Sequence, residues 1–388
     1  MDKSVGASRC LSISDLQLRS CRYLPRVIND YLEGGAEDEL CVDENAARLR
    51  QHKLRPRYLV DVHARSQQVE VFGRRYASPI GIGPMGMLGM VRPHGDLLLA
   101  RVAHAASVPF VLSGASNNSI EDIASQAPGS WLQYYPCSDP AIQADLLRRA
   151  EAAGIDTLVV TVDVPLHSKR ERNMRSGWVR PYKPTPAVML EAMRHPGWVA
   201  RYLRHGLPVM ENFLPYATAG ISARDLTSFY ASQVPTRHGW PLVERLRALW
   251  SGKLVLKGVL APEDARTAAD LGVDGVLVSN HGGRQLDRSI AAIDALPDIV
   301  AAVGDRIVVM FDSGIRRGSD AAVALCLGAK LCFVGRAAGY GLAAFGEAGA
   351  KRAIDILRSE LDLVMGQIGC PNATDLSPSF LCAARAPA

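Results

Sequence analysis

The run Ser279-Asn280-His281-Gly282-Gly283-Arg284-Gln285-Leu286-Asp287 places a histidine and an arginine three residues apart on a glycine-rich turn. It follows the apolar, β-branched stretch 275–278, which is typical of a buried strand. Glycines let a backbone approach a ligand closely. His281 offers a proton acceptor that works near neutral pH, and Arg284 offers a planar fork for a carboxylate. The run therefore predicts base-assisted chemistry on a small organic acid. The alternative is a surface turn that happens to carry both residues.

A phosphate site is predicted further along the chain. Asp312-Ser313-Gly314-Ile315-Arg316-Arg317-Gly318 and Gly335-Arg336 each follow an apolar stretch. Glycine-rich turns that open helices bind phosphate through backbone N–H groups, and arginines add charge-assisted hydrogen bonds. We therefore expect Arg316 and Arg336 to bind an anion, with two solvated loop arginines as the alternative.

The elements that must position these residues form a regular series. Eight short apolar runs recur, most of them with helix-like segments between, which is the sequence form of a (β/α)8 TIM barrel, an α/β fold. A doubly wound open sheet is the competing fold. Gly81, Gly83 and Gly86 have the Gly-x-Gly-x-x-Gly spacing, but this pattern begins inside the first run and no such pattern follows the run, which disfavours a dinucleotide-binding domain. The runs are 79–83, 109–112, 131–135, 157–161, 253–256, 275–278, 307–311 and 331–334.

Residues able to do chemistry follow every predicted strand at its carboxyl end, where barrel enzymes build their sites. Lys257 is an example, because a lysine ending a buried strand is costly unless it is paired or snorkels to solvent. In strand order the residues are Met85 and Gly86; Ser113; Gln133 and Tyr135; Thr161 and Asp163; Lys257; Ser279 and His281; Asp312, Gly314 and Arg316; Gly335 and Arg336. Their convergence favours the barrel over the open sheet.

The amino-acid composition narrows the class of protein and its expected partners. The 388 residues are 48% hydrophobic and 21% charged, which is ordinary for a globular protein, and we expect one domain with its barrel over about 76–370. The net charge of +5 comes without a basic run interleaved with aromatics, so nucleic acid is not an expected partner. The eight cysteines show no metal-ligand spacing, and a reducing, cytoplasmic compartment without a bound metal is the simplest interpretation. Neither a signal peptide nor a membrane-spanning run is expected.

Together these motifs resemble the FMN-dependent α-hydroxy-acid oxidase and dehydrogenase family. The histidine–arginine run resembles its active-site signature, and Asp30-Tyr31-Leu32-Glu33-Gly34-Gly35-Ala36-Glu37-Asp38 closely matches a second family run. The resemblance extends from about Asp30 to about Pro378. It implies an FMN-bound enzyme that oxidises an (S)-2-hydroxy acid to the 2-oxo acid. A non-catalytic FMN-binding module is the alternative from another class, and the presence of His281, Asp163 and Arg284 argues against it.

The resemblance also assigns the cofactor site. It puts the FMN phosphate at the Arg316 and Arg336 turns, Asp312 on the ribityl chain, and Lys257 beside the flavin N1/O2 edge, where it stabilises the anionic reduced ring. It puts Ser113, Gln133 and Thr161 on the other edges of the ring. The full implied set is Pro84, Met85, Gly86, Ser113, Gln133, Thr161, Lys257, Ser279, Asp312, Gly314, Arg316, Gly335 and Arg336.

The substrate residues follow in the same way. The resemblance implies that His281 is the base, Asp163 orients it and stabilises its protonated form, and Tyr135 contacts the developing charge. Carboxylate binding is assigned to Tyr31, Arg170 and Arg284. Read alone, Tyr31 would be a core aromatic and Arg170 a surface charge. The choice between carbanion and hydride transfer stays open, and Lys257 completes the implied catalytic set.

Several positions bear on the type of member. Family resemblance links Gly86, where oxidases tend to carry alanine, to dehydrogenase behaviour with a slow oxygen reaction. Ala115 stands where glycolate oxidase carries a tryptophan, so a bulky substrate should fit. Met85 and Tyr134 replace the usual threonine and leucine; flavin binding is expected to persist because the family uses backbone groups at the first of these positions. We expect (S)-mandelate first and L-lactate second, with electrons passing to a membrane quinone or other carrier. An oxygen-using oxidase is the alternative.

The stretch from about 178 to 236 interrupts the connection between strands four and five. Residues 178–206 carry five basic residues against one acidic residue, a net charge of +4, among Trp, Met and Leu. This mixture suits a segment lying in a membrane surface, over about 178–217, with Trp198, Met189, Met193 and Leu203 buried in lipid. It also resembles the membrane-binding segment of mandelate-oxidising family members. A lid or subunit contact is the alternative. We expect a peripheral protein on the inner face of the membrane, and by resemblance a tetramer.

Overall fold

Eight parallel strands form a barrel in the computed structural model, which describes residues 3–178, 185–234 and 239–382. They are β3 (Ile80–Ile82), β4 (Val111–Leu112), β5 (Trp131–Tyr134), β6 (Thr157–Thr161), β7 (Lys253–Val259), β8 (Gly275–Val278), β9 (Val308–Phe311) and β10 (Leu331–Val334). From β4 to β10 each strand pairs with the next in chain order, and β10 pairs with β3. A parallel bridge between Ile82 and Phe110 joins the first strand to the second. The predicted TIM barrel is confirmed, with every strand where the apolar runs put it.

Helices follow most strands and cover the outside of the barrel. The barrel helices are α5 (Leu88–Val91), α6 (Gly95–Ala105), α7 (Ile120–Gln126), α8 (Pro140–Ala152), α13 (Trp240–Leu249), α14 (Pro262–Asp270), α15 (Ala292–Val303), α16 (Gly318–Cys326), α17 (Arg336–Phe345) and α18 (Glu347–Ile368). Two short 3-10 helices, Ala373–Asp375 and Pro378–Phe380, follow them.

A two-stranded hairpin, β1 (Val69–Val71) and β2 (Arg74–Tyr76), covers the amino-terminal end of the barrel. Its apolar side chains pack with the inward-facing residues of the strands in one separate core cluster, and the Phe72 ring lies 5.7 Å from that of Trp131. This end of the barrel is therefore packed shut. Any ligand must enter from the opposite, carboxyl-terminal end.

Residues 3–51 form four helices: α1 (Lys3–Ser8), α2 (Ile13–Tyr23), α3 (Arg26–Glu33) and α4 (Leu40–Gln51). Helix α2 packs against α17, and α4 packs against α15. The turn after α3 lies on the carboxyl-terminal rim, where the backbone N–H of Ala36 donates to the carbonyl of Gly283 at 2.9 Å. The amino-terminal segment therefore contributes directly to the open end of the barrel.

The insertion lies between β6 and β7. The connection between these two strands first forms α9 (Glu171–Arg175), and the insertion itself contains α10 (Pro186–Ala192), α11 (Pro196–His205), a 3-10 helix (Glu211–Tyr216) and α12 (Ala223–Gln233). Polar bonds dock it on the barrel: Asn117 Nδ2 donates to the carbonyl of Val209 at 3.0 Å, and the Ile120 N–H donates to Asn212 Oδ1 at 2.9 Å. The structure does not describe residues 179–184 and 235–238. Arg180 and Lys183, two of the five basic residues in the predicted membrane segment, are among them.

Candidate active site

One cavity opens at the carboxyl-terminal end of the barrel, and almost all of the predicted site residues line it. Asp163 and Ser279 are the exceptions; they stand behind the wall and bond to residues that line it. The lining residues that the sequence predicted are Tyr31, Pro84, Met85, Gly86, Ser113, Gln133, Tyr135, Thr161, Arg170, Lys257, His281, Arg284, Asp312, Gly314, Arg316, Gly335 and Arg336. Barrel topology thus brings residues from all eight strand ends to one place.

His281 and Asp163 form a bonded pair at the cavity. The imidazole Nδ1 lies 3.0 Å from Asp163 Oδ1, and both side chains are mostly buried. Burial lowers the pKa of His281 below its ordinary 6.5, and the nearby Lys257 ammonium acts in the same direction, against the Asp163 carboxylate. Burial would raise the pKa of Asp163, but the charges of His281 and Lys257 outweigh it, and the pKa is lowered. A neutral imidazole beside an ionised carboxylate is the arrangement of a general base.

The backbone around this pair is unusual in two places. His281 has φ = +60°, a left-handed conformation that is rare for residues other than glycine and that occurs where surrounding structure fixes a functional residue. Gly258 has φ = +102° at an irregularity in β7, and a Cβ there would lie 2.4 Å from Asp163 Cβ. Only glycine leaves room for Asp163. The sequence analysis missed Gly258, although a glycine directly after the strand-end Lys257 was a usable signal.

Lys257 is buried and paired. Its Nζ donates to Ser279 Oγ at 2.8 Å and lies 3.3 Å from Asp312 Oδ2. Burial disfavours the ammonium form, but the carboxylates of Asp312 and Asp163 outweigh it and raise the pKa. Lys257 therefore presents a fixed positive charge at the cavity wall rather than snorkelling to solvent.

Arg284 and Arg170 lie together on the other side of His281. Arg284 Nη1 donates to the carbonyls of Tyr31 at 2.9 Å and Gly34 at 2.7 Å, and its guanidinium lies over the Tyr31 ring. Burial, with Arg170 nearby, lowers the pKa of Arg284 to about 10, so it stays charged at neutral pH. Arg170 Nη2 donates to Gln285 Oε1 at 3.0 Å. Arg170 is therefore packed into the site, not a solvated surface charge.

Three side chains on the neighbouring strand ends form a polar wall. Ser113 Oγ donates to Gln133 Oε1 at 3.2 Å. Gln133 Nε2 and Thr161 Oγ1 are buried and have no hydrogen-bond partner among the described residues. Buried polar atoms are normally satisfied, so these two require a ligand with acceptor or donor groups on its edge. A polar ring such as the isoalloxazine of FMN meets this requirement.

The sequence predicted a phosphate site at two helix starts, and the structure leaves only one of them open. The start of α16 is already occupied, because Asp320 accepts from the N–H groups of Arg316 and Arg317 and Glu360 accepts from that of Gly318. The start of α17 carries no side-chain cap, and the N–H groups of Gly335 and Arg336 have no partner among the described residues. A helix N-terminus with open N–H groups binds anions. The open anion site is thus at α17, not at α16.

Three arginines that line the cavity have no counter-charge in the described part of the chain. Among residues 3–178, 185–234 and 239–382, no carboxylate lies within ion-pair distance of Arg284, Arg316 or Arg336. Arg336 donates instead to the carbonyls of Leu32, Gly282 and Gly34, and burial lowers its pKa to about 10. Partly buried cations without counter-charges require anionic ligands. Arg284 lies beside His281, where a carboxylate fits, and Arg316 and Arg336 lie at the start of α17, where a phosphate fits.

The mouth of the cavity includes residues that the sequence analysis did not assign. Val164 and His167 follow β6, and Tyr230, Ala231 and Val234 belong to the α12 part of the insertion. The unusual length of the insertion was the only usable sequence signal for the three α12 residues, and Val164 and His167 had only their position after a predicted strand end. The α12 part therefore covers the mouth, which agrees with the lid alternative for this portion of the segment.

The α10–α11 part of the insertion differs. Large apolar side chains stand in solvent there, including Leu203, which is 83% exposed, and Met193, which is 63% exposed; Met189, Leu190 and Leu207 are also exposed. Arg194 and Arg204 are exposed among them. The expectation that Trp198 faces lipid is wrong: its Nε1 donates to the carbonyl of Met90 at 3.0 Å, and its ring packs on Tyr202. No helix of the described chain has the length and apolar character needed to cross a bilayer.

The chain is similar to known proteins over most of its length. A family model described as FMN-dependent dehydrogenase matches residues 20–383. (S)-Mandelate dehydrogenase from Pseudomonas putida is 42% identical over 371 residues, 95% of this chain and 93% of that protein. An L-lactate dehydrogenase from Pseudomonas syringae pv. syringae (strain B728a) is 38% identical over 372 residues, covering 95% and 98%. The crystal structure of the monotopic membrane protein (S)-mandelate dehydrogenase is similar with a TM-score of 0.93 and 41% identity, covering 96% of this chain and 99% of that chain.

Proposed function

The chain belongs to the FMN-dependent dehydrogenase family, and on that premise we propose that it oxidises (S)-mandelate to benzoylformate. It is an α-hydroxy-acid dehydrogenase by family, so the non-catalytic alternative is rejected. One observation carries the proposal: a neutral His281, bonded to Asp163, faces a cavity that also holds Arg284 and Arg170. A base and two carboxylate-binding groups are what a 2-hydroxy acid requires.

His281 is the proton acceptor. Its Nδ1–H donates to Asp163, which fixes the tautomer and leaves Nε2 as the acceptor on the cavity side. Nε2 takes the α-proton if the reaction runs through a carbanion, or the hydroxyl proton if it runs by hydride transfer. In both cases the buried Asp163 carboxylate stabilises the imidazolium that forms. Tyr135, which lines the same wall, is assigned to the developing charge on the substrate oxygen.

The substrate carboxylate binds at Arg284 and Arg170, with Tyr31 beside them. The Tyr31 hydroxyl donates to the carbonyl of Gly86 at 2.8 Å, which places it at the junction of the two halves of the cavity. Arg284 is held rigidly by two carbonyls and has donors left over for an anion. Charge-assisted and bidentate bonds of this kind fix the orientation of the α-carbon relative to His281.

Room for an aromatic ring distinguishes mandelate from lactate. Gly86 and Ala115 leave one wall small, and Val164, Tyr230 and Val234 give the mouth an apolar lining. A phenyl ring would bury apolar area there, whereas a methyl group would leave the space to water. L-Lactate remains the second candidate because L-lactate dehydrogenases are 36–38% identical to this chain.

FMN fits the remaining groups. Ser113, Gln133 and Thr161 would bond the polar edges of its ring, Lys257 would face the ring with a positive charge, and the α17 start with Arg316 and Arg336 would hold its phosphate. Pro84, Met85, Gly86, Ser279, Asp312, Gly314 and Gly335 complete the assignment. When bound, FMN supplies the two-electron acceptor that oxidation of a hydroxyl to a carbonyl requires.

We further propose that electrons leave for a membrane quinone and that α10–α11 hold the protein on the inner face of the cell membrane. Exposed apolar and basic side chains on this part support the proposal, as does the description of the similar crystal structure as a monotopic membrane protein. The alternative is that a neighbouring subunit of a tetramer covers this surface. The proposed oligomeric state is a tetramer.

The test uses the purified holoprotein without oxygen. Addition of (S)-mandelate should bleach the bound flavin, and L-lactate should do so more slowly at equal concentration. His281→Gln is the matched variant: it should keep its flavin but bleach slower by ~10²–10⁴-fold or more, the usual contribution of a general base. The reduced protein should then reoxidise faster with a soluble quinone analogue than with air-saturated buffer.

Three outcomes would change the proposal. Faster bleaching with L-lactate would make lactate the substrate. Stoichiometric peroxide in air at a rate matching turnover would make the protein an oxidase. No bleaching by any (S)-2-hydroxy acid, with flavin bound, would overturn the proposed function.

A further inference from the structure

Gln285 joins the two halves of the substrate site. Its Oε1 accepts from Arg170 Nη2 at 3.0 Å and lies 3.2 Å from Ser168 Oγ. Its Nε2 donates to the backbone carbonyls of Asp163 at 3.1 Å and Leu166 at 3.4 Å. Both the oxygen and the NH2 of this amide are therefore hydrogen-bonded. Their partners, Arg170 and the backbone of Asp163, belong to the proposed substrate site.

The amide orientation is determined by these contacts. The Asp163 and Leu166 carbonyls can only accept, and the Arg170 guanidinium can only donate, so the side-chain NH2 must face the former and the oxygen the latter. A glutamate could not donate to the carbonyls, and an apolar residue could serve neither side. Of the common side chains, only glutamine has both groups at this length.

Ser168 strengthens the same connection. Its Oγ donates to the carbonyl of Arg284 at 2.6 Å and accepts from Arg170 Nε at 3.0 Å. Gln285 follows Arg284 directly in the chain. The Gln285 amide thus connects Arg170 to the loop that carries Asp163, and Ser168 connects Arg170 to the Arg284 backbone.

We propose that Gln285 is a positioning residue that holds Arg170 in place for the substrate carboxylate. The inference rests on the proposed function. Two guanidinium groups close together repel each other, as the effect of Arg170 on the pKa of Arg284 indicates, so Arg170 needs neutral bonds to remain beside Arg284 before substrate arrives. Gln285 supplies one of them from the turn after β8, and its side chain lies at the cavity wall beside Arg170.

The test is Gln285→Met in the holoprotein, which keeps side-chain length and loses both hydrogen-bonding ends. The KM for the hydroxy acid should rise roughly tenfold, the size of one lost charged hydrogen bond. The kcat should change much less, because His281 and Asp163 keep their direct bond. Kinetics with the corresponding neutral 2-hydroxy amide should change less than twofold, since it has no carboxylate for Arg170. The amide also controls for folding, together with flavin content.

A matched control lies on the outside of the barrel. Gln126 Oε1 accepts from Arg101 at 2.8 Å in an exposed pair of the same chemistry, and Gln126→Met should leave all constants unchanged. In an Arg170→Met background, Gln285→Met should add no further rise in the KM, because its effect acts through Arg170. Equal losses for acid and amide, an unchanged KM, or additive effects in the double variant would overturn the proposal. A wild-type protein that oxidises no 2-hydroxy acid would instead overturn the proposed function.

Discussion

At the scale of single residues, the glycine-rich run after β8 supplies the base and one carboxylate-binding arginine, and several of its members make contacts of their own. Ser279 accepts from Lys257, His281 bonds Asp163, and Arg284 bonds the segment after α3. Asp287 is buried and accepts from the N–H groups of Asp38 and Cys41, so it fixes the start of α4 against the rim. The run therefore joins the base, the carboxylate group and the amino-terminal segment that covers them.

The pH dependence of the reaction should report His281. The base must be neutral to accept a proton, and burial lowers its pKa, so kcat/KM should fall only below pH 6.5 as the imidazole becomes protonated. In Asp163→Asn the carboxylate that raises the pKa of His281 is gone, so the fall should move to still lower pH while kcat drops ~10²-fold or more. The measurement is kcat/KM against pH for both proteins. A fall centred above pH 6.5, or a shift toward higher pH in the variant, would contradict the assignment.

Gly86→Ala should raise the rate at which the reduced flavin reacts with oxygen by about tenfold, a barrier change of ~1.4 kcal/mol, if the family difference at this position holds here. The new Cβ would lie 2.9 Å from Ala115 Cβ, so the backbone that accepts from the Tyr31 hydroxyl must shift, and the KM should rise as well. Adding Ala115→Gly relieves the contact. Stopped-flow reoxidation should then stay fast while the KM returns. Equal reoxidation rates in all variants would remove Gly86 from control of oxygen reactivity.

At the scale of elements, the insertion between β6 and β7 serves two purposes in different parts. Helix α12 supplies Tyr230 and Val234 to the mouth of the cavity, and α11 is fixed on the barrel through Trp198 and Tyr202, which donate to the carbonyls of Met90 and Gly89. Met189 and Leu190 of α10 and Leu203 of α11 stay in solvent. The lid and membrane interpretations of the segment are therefore compatible.

The membrane proposal is tested by sedimentation with anionic vesicles. Met193→Asp combined with Leu203→Asp should reduce binding by tenfold or more, since each side chain buries apolar area worth ~1.5–3 kcal/mol. Flavin reduction by substrate should be unchanged, because neither residue lines the cavity. Leu363→Asp, at a leucine 59% exposed on α18, is the matched control and should bind like wild type. Wild-type protein that ignores vesicles at low salt would overturn membrane attachment, and a change of oligomeric state in the double variant would favour a subunit contact.

At the scale of the whole molecule, the parallel barrel is what concentrates charge. Every strand runs the same way, so all carboxyl ends meet at one rim, and the hairpin closes the other end. The rim thereby collects Lys257, Arg284, Arg316 and Arg336 in one cavity. Gathering these cations destabilises the empty protein and favours anionic ligands.

The thermal stability of the protein should therefore depend on the cofactor phosphate. FMN at about 100 times its Kd should stabilise the cofactor-free protein by ~2.7 kcal/mol, which corresponds to a rise in Tm of about 3 °C for a chain of 388 residues. Riboflavin at the same concentration should give a smaller rise, since it lacks the phosphate for the α17 start. Differential scanning calorimetry measures both. Equal shifts would contradict the phosphate assignment, and Arg316→Met should reduce the FMN shift alone.

The sequence by itself determined the fold class and the composition of the site. Strand periodicity, the spacing of the apolar runs and the residues at their carboxyl ends depend on local chemistry, and a barrel has one rim to which those ends must go. His281, Lys257 and Arg284 were therefore predictable as neighbours, because they lie at most 27 positions apart in the chain. The glycine-rich turns were equally local.

Tertiary structure decided the contacts whose partners lie far apart in sequence. Gln285 meets Arg170 across 115 positions, and Glu360 on α18 reaches the Gly318 N–H at the start of α16 across 42 positions, which left α17 as the open anion site. Trp198 turned inward because a short helix with apolar residues on several sides can be oriented only by the surface it packs on. Such contacts depend on complementary packing and on which polar groups remain unsatisfied, and neither property is contained in a local pattern of residues.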